Sequence, residues 1–407
     1  MENLTTPVPE MPPVAHPGPG IDPVPAVPRG ETLGIRFTAS GSEYLRIWLV
    51  NLLLIVVTAG LYLPFAKARR MRYFHENTLV GDAPLAFHGD PWRMLRGYLL
   101  IWGLAVTYLL LSHFMPEMAV LVMLAMMLAA PALMQASLRF RLGQTSWRGL
   151  RMRFTGTVGG IYRALAPAAA MLALMVAAPI VAAVNAASQG PEGMTWVAAV
   201  AGLASLLWAG SVPWIVARLK RWQHGHYALG DEQTRLEAST GDFYRLYLRL
   251  LLVAVAAIVA GLLVGLLGAG IAMAAGVAPG RSPIGMVILM GLFLVGYFVA
   301  LAIIGVYLQA AMQRLLWNRT ASRHVRLRST LSFGALLGLA MRNAGLMAVT
   351  LGLYWPFAQV ATARLRLESV SVDLDIPAEQ LVAGLAATGA GAAGVAADDL
   401  LGIDIDL

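Results

Sequence analysis

Four arginines stand at one repeated position of the sequence, each eight residues after a proline within or at the end of an apolar stretch. They are Arg72, Arg139, Arg221 and Arg364, which follow Pro64, Pro131, Pro213 and Pro356. A guanidinium binds phosphate through a planar pair of N–H donors, so these side chains suit a phosphate or anionic lipid head group beneath a membrane. The alternative is that they only anchor the protein at the interface through their positive charge.

Six polar side chains lie inside two apolar stretches near the ends of the chain. They are Asn51, Thr58, Tyr62, Asn343, Thr350 and Tyr354. Polar groups at membrane depth often mark a functional site, so we predict that these residues line an intramembrane cavity. The structural alternative is that they cap broken helices or form hydrogen bonds between helices, each worth about 1 kcal/mol.

Residues for other chemistry are scarce. The chain has no cysteine, which excludes disulfides, thiolate ligands and thiol catalysis. His75, His88, His224 and His226 have no recognisable ligand spacing, so no metal site is predicted. The sequence shows no nucleophile elbow, no phosphate-binding glycine loop and no intramembrane carboxylate pair. We therefore predict that the protein is not an enzyme and needs no cofactor.

The elements that carry these residues are apolar and long. With 58% hydrophobic and 13% charged residues, the 407-residue chain has about half the charged fraction typical of a soluble domain. Apolar stretches of about 20 residues, enough to cross a bilayer, lie at 43–66, 94–115, 117–138, 161–187, 194–217, 246–275, 284–312 and 333–358. The sequence predicts an all-α polytopic membrane protein that contacts the lipid bilayer.

The basic residues are distributed unevenly between the loops. Four segments, 67–96, 139–163, 218–249 and 314–328, hold most of the Lys and Arg, whereas the loops between them hold Arg281 alone. This asymmetry is typical of cytoplasmic loops. A nucleic-acid-binding protein would concentrate its charge on a soluble domain, so we predict no nucleic-acid partner.

The chain repeats one unit five times. Each proline is followed by a basic helix end, a turn and a short strand-like run, as in "PFAKARRMRYFHENT" and "PWIVARLKRWQHGHY", and a weaker copy has Gln309 in place of the proline. Alternating runs such as "LRMRF" predict short β-hairpins that form a cytosolic layer. The alternative is a set of irregular interfacial loops.

The two terminal units are too short to hold two spans. They share the phrases "TAGLYLPFA" and "TLGLYWPFA", in which Gly60 with Pro64, and Gly352 with Pro356, would break a helix. We predict six spanning helices plus two broken, re-entrant segments, 43–66 and 333–358. The alternative is eight ordinary spans.

At "YLPFAKARRMRYFHENT" and "SWRGLRMRFTG" the sequence resembles the YjgN-like family of bacterial inner-membrane proteins. The residues that carry the resemblance are Pro64, Ala66, Lys67, Arg69, Arg72, Tyr73, Asn77 and Thr78. Phe65 stands where the family usually has tryptophan. The resemblance covers most of 34–376 and implies a multi-pass inner-membrane location without a settled biochemical role.

Composition divides the chain into a Pro-rich disordered tail (1–34), a membrane domain of repeated units (35–376) and an Ala/Gly-rich acidic tail (377–407). Two functions fit these features. One is a transporter or channel-like protein with its path beside the broken helices. The other is a non-transporting scaffold that binds anionic lipid or envelope partners through its basic cytosolic loops.

Overall fold

The computed structural model describes residues 30–186, 190–274, 276 and 283–387. The helices are α1 (Gly41–Val57), α2 (Leu63–Glu76), α3 (Pro91–Phe114), α4 (Pro116–Gly143), α5 (Val158–Ala186), α6 (Gly190–His224), α7 (Thr240–Ala274), α8 (Pro283–Asn318), α9 (Phe333–Val349), α10 (Trp355–Glu368) and α11 (Ala378–Ala387). The strands are β1 (Glu31–Phe37), β2 (Thr78–Val80), β3 (Ala83–Phe87), β4 (Thr145–Trp147), β5 (Leu150–Phe154), β6 (Tyr227–Leu229), β7 (Glu232–Gln233), β8 (Arg235–Leu236), β9 (Thr320–Ala321), β10 (Val325–Ser329) and β11 (Val370–Leu374).

The strands form one antiparallel sheet whose order closes on itself. That order is β7-β6-β5-β4-β3-β2-β1-β11-β10-β9-β8. Its two ends, β7 and β8, are consecutive in the chain and are separated by Thr234 alone. The Thr234 N–H donates to the Tyr227 carbonyl (2.8 Å), and β8 pairs with β9. The segment 232–236 therefore pairs with β6 through its first half and with β9 through its second, and the sheet forms a ring.

One carboxylate joins the two sides of the ring closure. Glu232 of β7 accepts hydrogen bonds from Ser322 Oγ (2.7 Å), the Arg323 N–H (3.1 Å) and His324 Nδ1 (2.5 Å) in the β9–β10 hairpin. The Glu232 side chain is only 10% exposed. Burial alone would raise the pKa of Glu232, but the hydrogen bonds from Ser322 and His324 outweigh it and lower that pKa.

Pairs of helices connect hydrogen-bonded strands at five places among the described residues. In each unit a strand leads into two helices, and the chain then returns to a strand that pairs with the first. The pairs are β1 with β2, β3 with β4, β5 with β6, β8 with β9, and β10 with β11. Each pair of helices therefore begins and ends beside two neighbouring strands of the ring.

Five apolar clusters of the same design hold the helices to the ring. Each packs the first helix of one unit between the second helices of that unit and of its neighbour. In one of them Ile161 of α5, which is fully buried, contacts the group formed by Leu138 of α4, Trp222 of α6 and Phe154 of β5. The others join α10–α1–α2, α2–α3–α4, α6–α7–α8 and α8–α9–α10.

Glycines follow β3 and β5 because the phenylalanine ring that ends each of these strands folds over them. A Cβ added at Gly89 would lie 2.4 Å from the Phe87 ring, and one at Gly156 would lie 2.5 Å from the Phe154 ring. The same position after β1 is Ala39, which is fully buried. This contact explains why a glycine stands two positions after the end of β3 and of β5.

Helix α11 fills the interior of the ring at the end where the hairpins turn. Ala378, Leu381 and Leu385 face the ring and belong to one cluster with apolar side chains from eight strands. Those side chains are Leu33, Val80, Ala83, Leu85, Trp147, Leu150, Met152, Leu229, Val325, Val372 and Leu374. Glu31 Oε2 of β1 accepts a hydrogen bond from the Ala378 N–H (3.0 Å) and so caps the helix. The opposite face, with Glu379, is exposed.

Six helices, α3 to α8, are long and apolar enough to cross a membrane within the described residues. Six candidate membrane-spanning helices and the predicted β-hairpins are therefore present, and the alternative of irregular loops in place of the hairpins is wrong. Helices α1 and α9 have 17 residues each. At about 1.5 Å per residue they measure about 25 Å, less than the ~30 Å hydrocarbon core.

Parts of both predicted tails belong to the fold. Strand β1 begins at Glu31, inside the range 1–34, and α11 lies inside the range 377–407. The positions 1–29 and 388–407 of those tails lie outside the described residues.

Removing the closing carboxylate should destabilise the ring. We expect Glu232→Gln to lower the free energy of unfolding at pH 7 by about 1–3 kcal/mol, since it weakens a buried set of charge-assisted hydrogen bonds. Because the pKa of folded Glu232 lies below its ordinary value of 4.5, its contribution is complete at neutral pH and is lost as the pH falls below that value. The measurement is thermal unfolding in detergent at several pH values.

The control is Glu237→Gln, whose carboxylate pairs with Arg235 at 3.0 Å but is 48% exposed. An exposed pair contributes about 0–1 kcal/mol. Equal losses in the two variants would contradict the closing role of Glu232.

Candidate functional site

The phrase shared by the terminal units forms a hydrogen-bonded turn between two helices. In the first copy, the N–H groups of residues 58, 59, 60, 61 and 63 donate to the carbonyl oxygens of 54, 56, 55, 58 and 60. The Tyr62 N–H donates to Thr58 Oγ1 (3.0 Å), and Thr58 Oγ1 itself donates to the Leu54 carbonyl (2.7 Å). Pro64 has no N–H. Every backbone donor from 58 to 63 thus has an acceptor within this segment.

The second copy repeats this pattern bond for bond. The N–H groups of residues 350, 351, 352, 353 and 355 donate to the carbonyl oxygens of 346, 348, 347, 350 and 352. The Tyr354 N–H donates to Thr350 Oγ1 (3.0 Å), and Pro356 follows within the first turn of α10. The turn is therefore a property of the shared phrase and not of one location in the chain.

The glycines of the phrase occupy backbone positions that other residues adopt only with strain. Gly60 has φ +92° and Gly352 has φ +90°. The preceding residues, Ala59 and Leu351, are also left-handed, at φ +50° and +51°. Two successive residues in this region end α1 and α9 abruptly. The predicted helix-break residues Gly60, Pro64, Gly352 and Pro356 thus lie in or directly after the turns.

Tyr62 and Tyr354 are the residues directly before α2 and α10. Their rings stack on Phe65 (5.5 Å between centroids) and Phe357 (5.4 Å). With the threonine hydroxyls engaged in the turns, four of the six predicted polar residues thus have a local structural contact. Their proposed part in a cavity stays a prediction.

The two asparagines differ from these four, because each buries an unsatisfied polar atom. Asn51 is 6% exposed and Asn343 is 3% exposed. The Oδ1 atom of each has no hydrogen-bond partner among the described residues. The Asn343 Nδ2 lies 3.5 Å from Thr362 Oγ1. A buried acceptor without a donor costs about 1–3 kcal/mol, so these atoms mark places where a ligand or water would be stabilised.

Asn343 opens onto a cavity of about 630 Å³ between α8, α9 and α10, a volume typical of a small-molecule site. Its other polar lining residues are Gln309, Gln313, Gln359, Thr362 and Arg366, and two of its aromatic residues are Trp317 and Trp355. Asn51 is not among the lining residues, so the structure does not bring the two asparagines into this cavity.

One wall of the cavity is fixed by a reciprocal contact between α8 and α10. Arg366 Nε donates to Gln313 Oε1 (2.9 Å), and Gln313 Nε2 donates to the Arg366 carbonyl (2.9 Å). The cavity therefore combines one held cation with amide and hydroxyl groups, an arrangement that suits a polar or anionic solute.

The four predicted head-group arginines lie at one structural position, six residues before the strand that follows. Arg364 donates to the Ala39 carbonyl (2.8 Å) and Arg221 donates to Thr240 Oγ1. Both acceptors stand near the start of the first helix of a neighbouring unit. Arg72 and Arg139 are exposed. Binding of lipid by these four residues stays a prediction.

The structure adds a fifth arginine to this position, Arg314, six residues before β9. Fourteen residues before β9 stands Val306, whereas the other units have proline there. The residue of the fourth unit that corresponds to the prolines is therefore Val306, three residues before Gln309. The distance from the arginine to the strand that follows is the same in every unit, and this distance identifies Arg314.

The histidines form hydrogen bonds within their own surroundings. His75 Nδ1 lies 2.7 Å from the Met71 carbonyl, and His88 Nε2 lies 2.8 Å from Ser146 Oγ. Burial lowers the pKa of His75. Within the described residues, no group of three His, Asp or Glu side chains is placed to hold a metal ion.

The comparisons with known proteins concern most of the chain. Residues 32–400 match the family described as "Bacterial protein of unknown function (DUF898)". The chain is 26% identical over 157 residues to the inner membrane protein YjgN of Salmonella typhimurium strain LT2, covering 38% of this chain and 40% of that protein. It is 24% identical over 127 residues to YjgN of Escherichia coli O157:H7, covering 31% and 32%.

In both cases the matched stretch spans less than half the length of the relative. No solved structure matches the chain significantly. The relatives confirm the predicted resemblance and, with the six apolar helices, the multi-pass inner-membrane location.

The threonine that closes each turn should matter more than a threonine elsewhere on a helix. We expect Thr58→Val and Thr350→Val each to lower the unfolding free energy by about 1–3 kcal/mol, because the following tyrosine N–H loses its acceptor. The matched control is Thr107→Val, since Thr107 Oγ1 only donates to the Gly103 carbonyl of its own helix. Thermal unfolding in detergent measures the difference, and three equal midpoints would contradict it.

Proposed function

The chain belongs to the family of bacterial proteins of unknown function (DUF898), and on that premise we propose that it is a transporter or channel-like protein of the inner membrane. The passage would run along the axis of the ring of units. Helix α11 would close its cytosolic mouth, and the cavity beside Asn343 would contact the solute. The observation that carries the proposal is the helix seated inside a closed ring of strands.

The size of the ring supports this proposal. If β7 and β8 are counted as one interrupted strand, ten strands surround the axis of the ring. A barrel of about eight strands is just filled by its own side chains, and larger ones enclose free space. In this ring the interior holds α11 instead, and a helix with its side chains is about 10 Å across. Departure of α11 would therefore leave an opening wide enough for small solutes.

A fivefold internal repeat is the second part of the proposal. It is supported by the five strand-helix-helix-strand units, by the five matching apolar clusters and by the arginine six residues before each returning strand. Units of one design placed around an axis produce a passage along that axis without further elements.

The third part is that α1–α2 and α9–α10 are re-entrant. Strand β1 pairs with β2, and β10 pairs with β11. These pairings support an arrangement in which both ends of each segment would lie on one side of the membrane. The tips are apolar and exposed: Val57 is 73%, Val349 82% and Leu351 94% exposed. Such tips favour hydrocarbon, where backbone donors must be satisfied internally, as they are in both turns.

A non-transporting scaffold that binds anionic lipid through its basic face is the second candidate. Exposed Arg72 favours it. Arg221 and Arg364 are engaged within the chain. The scaffold has no need of a ring interior that admits a helix, so the geometry favours the passage.

The re-entrant arrangement predicts that Thr32 of β1 and Asp82 in the β2–β3 turn lie on the cytoplasmic side together. Both are exposed, and the chain has no native cysteine to interfere. Thr32→Cys and Asp82→Cys should each resist a membrane-impermeant thiol reagent in intact cells and react after lysis. Eight ordinary spans would place Thr32 outside and Asp82 in the cytoplasm, so labelling of Thr32→Cys but not of Asp82→Cys in intact cells would restore that alternative.

The passage itself is tested by releasing α11. Leu381→Glu places a charge on the face of α11 that contacts the ring, whereas the control Gln380→Glu places one on its exposed face. We expect proteoliposomes with Leu381→Glu, or with a chain ending at Ile376, to leak small hydrophilic dyes or ions faster than those with the parent or the control. Equal impermeability of all four preparations would contradict the passage and leave the scaffold.

A further inference from the structure

We propose that the α7–α8 hairpin carries a binding site for the phosphate of an anionic glycerophospholipid, formed by Arg245, Arg249 and Arg314. These three arginines line one cavity of about 290 Å³ near the strand end of the hairpin. The cavity is completed by Asp242, Leu246, Tyr307, Ala311 and Leu315. Its volume suits a head group better than a whole lipid.

The positive charge of the cavity exceeds what its own carboxylate neutralises. Asp242 accepts from Arg245 (2.6 Å) through Oδ1 and from the Ser239 N–H and Oγ (both 2.9 Å) through Oδ2. Its two oxygens are therefore already engaged. Within the described residues, Arg249 and Arg314 form no ion pair. Two guanidinium groups thus remain for an anion.

Comparison with Arg221 and Arg364 shows how Arg314 differs from two arginines at the same position. At the same position, Arg221 and Arg364 hold the start of the neighbouring unit. In the fourth unit Asn318 forms the corresponding link instead: its Oδ1 accepts from the Ser329 N–H (2.6 Å) and its Nδ2 donates to the Ser329 carbonyl (3.3 Å). Arg314 has no such structural task and lines the cavity of its own hairpin.

The surroundings favour a lipid over free phosphate. The part of the α7 surface that continues from Arg245 and Arg249 toward the C-terminal end of the helix is apolar and exposed. Leu248 is 60% exposed, Leu252 is 64% exposed and Val255 is 52% exposed. This apolar surface suits the acyl chains of a lipid. Arg245 and Arg249 lie at the end of α7 nearest the strands, where they suit the phosphate. The strand end carries the basic segments that mark the cytoplasmic side, where basic pockets between helices bind anionic head groups.

Arginine is the suitable residue for this task, because its planar fork bonds two phosphate oxygens at once. The side chain of Arg245, held by Asp242, can present its remaining N–H groups to the same ligand. The site is independent of the proposed passage, since α11 and the ring interior take no part in it.

The test is a titration of the full-length protein in mild detergent with phosphatidylglycerol, followed by native mass spectrometry. We expect Arg249→Gln with Arg314→Gln to weaken binding about a hundredfold, because two charge-assisted bonds are lost and each corresponds to about a tenfold change. Arg249→Lys with Arg314→Lys keeps the charge and should show an intermediate loss. The matched control, Arg323→Gln with Arg326→Gln, removes two exposed arginines of the nearby β9–β10 hairpin and should bind as the parent does.

Equal binding by the glutamine variant and the control would overturn the site. Phosphatidylcholine binding as tight as phosphatidylglycerol binding would overturn the role of the anionic head group. Inorganic phosphate that displaces the lipid at equal concentration would overturn the lipid as the ligand. Dye leak from proteoliposomes tests the passage separately, so the two ideas can fail independently.

Discussion

Hydrogen bonding between the first strand and the last strand is the interaction on which the rest of the structure depends. By pairing β1 with β11, the chain joins its two ends and completes a ring that Thr234 and Glu232 close on the opposite side. A closed ring leaves no strand edge for pairing with other chains. It also means that each pair of helices, short or long, lies between two strands that are hydrogen-bonded to each other.

In the proposed re-entrant arrangement, α1–α2 and α9–α10 reverse direction without leaving backbone groups unpaired. The shared phrase meets this requirement residue by residue. Threonine accepts the one N–H that the backbone does not bond, glycine takes the left-handed conformation, and proline begins the next helix without an N–H to satisfy. The same phrase that looked like a site for chemistry is thus, in its threonines and tyrosines, the structural solution to a reversal. The asparagines on α1 and α9 differ, because their buried Oδ1 atoms have no partner in the part of the chain that the structure describes.

Local patterns in the sequence predicted the six spanning helices, the hairpins and the positions of the helix breaks, because each depends on residues close together in the chain. The ring closure depends on pairing between distant strands, and its segment 232–236 contains no pattern that distinguishes it from a loop. Helix α11 was assigned to a tail because its Ala/Gly-rich surroundings resemble a flexible segment, and only the ring provides the apolar surface on which it folds. Arg314 was missed because the fourth unit lacks the proline used to align the others.

The most direct test of the account is a disulfide between the first and last strands. Gly34 and Ser371 are register partners, and a Cβ at Gly34 meets no atom within 4 Å. Arg328 is the register partner of Ser371 on its other side, so it lies about 10 Å from Gly34, two strand spacings away and too far for a disulfide. In membranes under mild oxidation, Gly34→Cys with Ser371→Cys should form a disulfide seen as a mobility shift on a non-reducing gel, and Gly34→Cys with Arg328→Cys should not. Failure of the first pair, or equal yields from both, would contradict the closed ring.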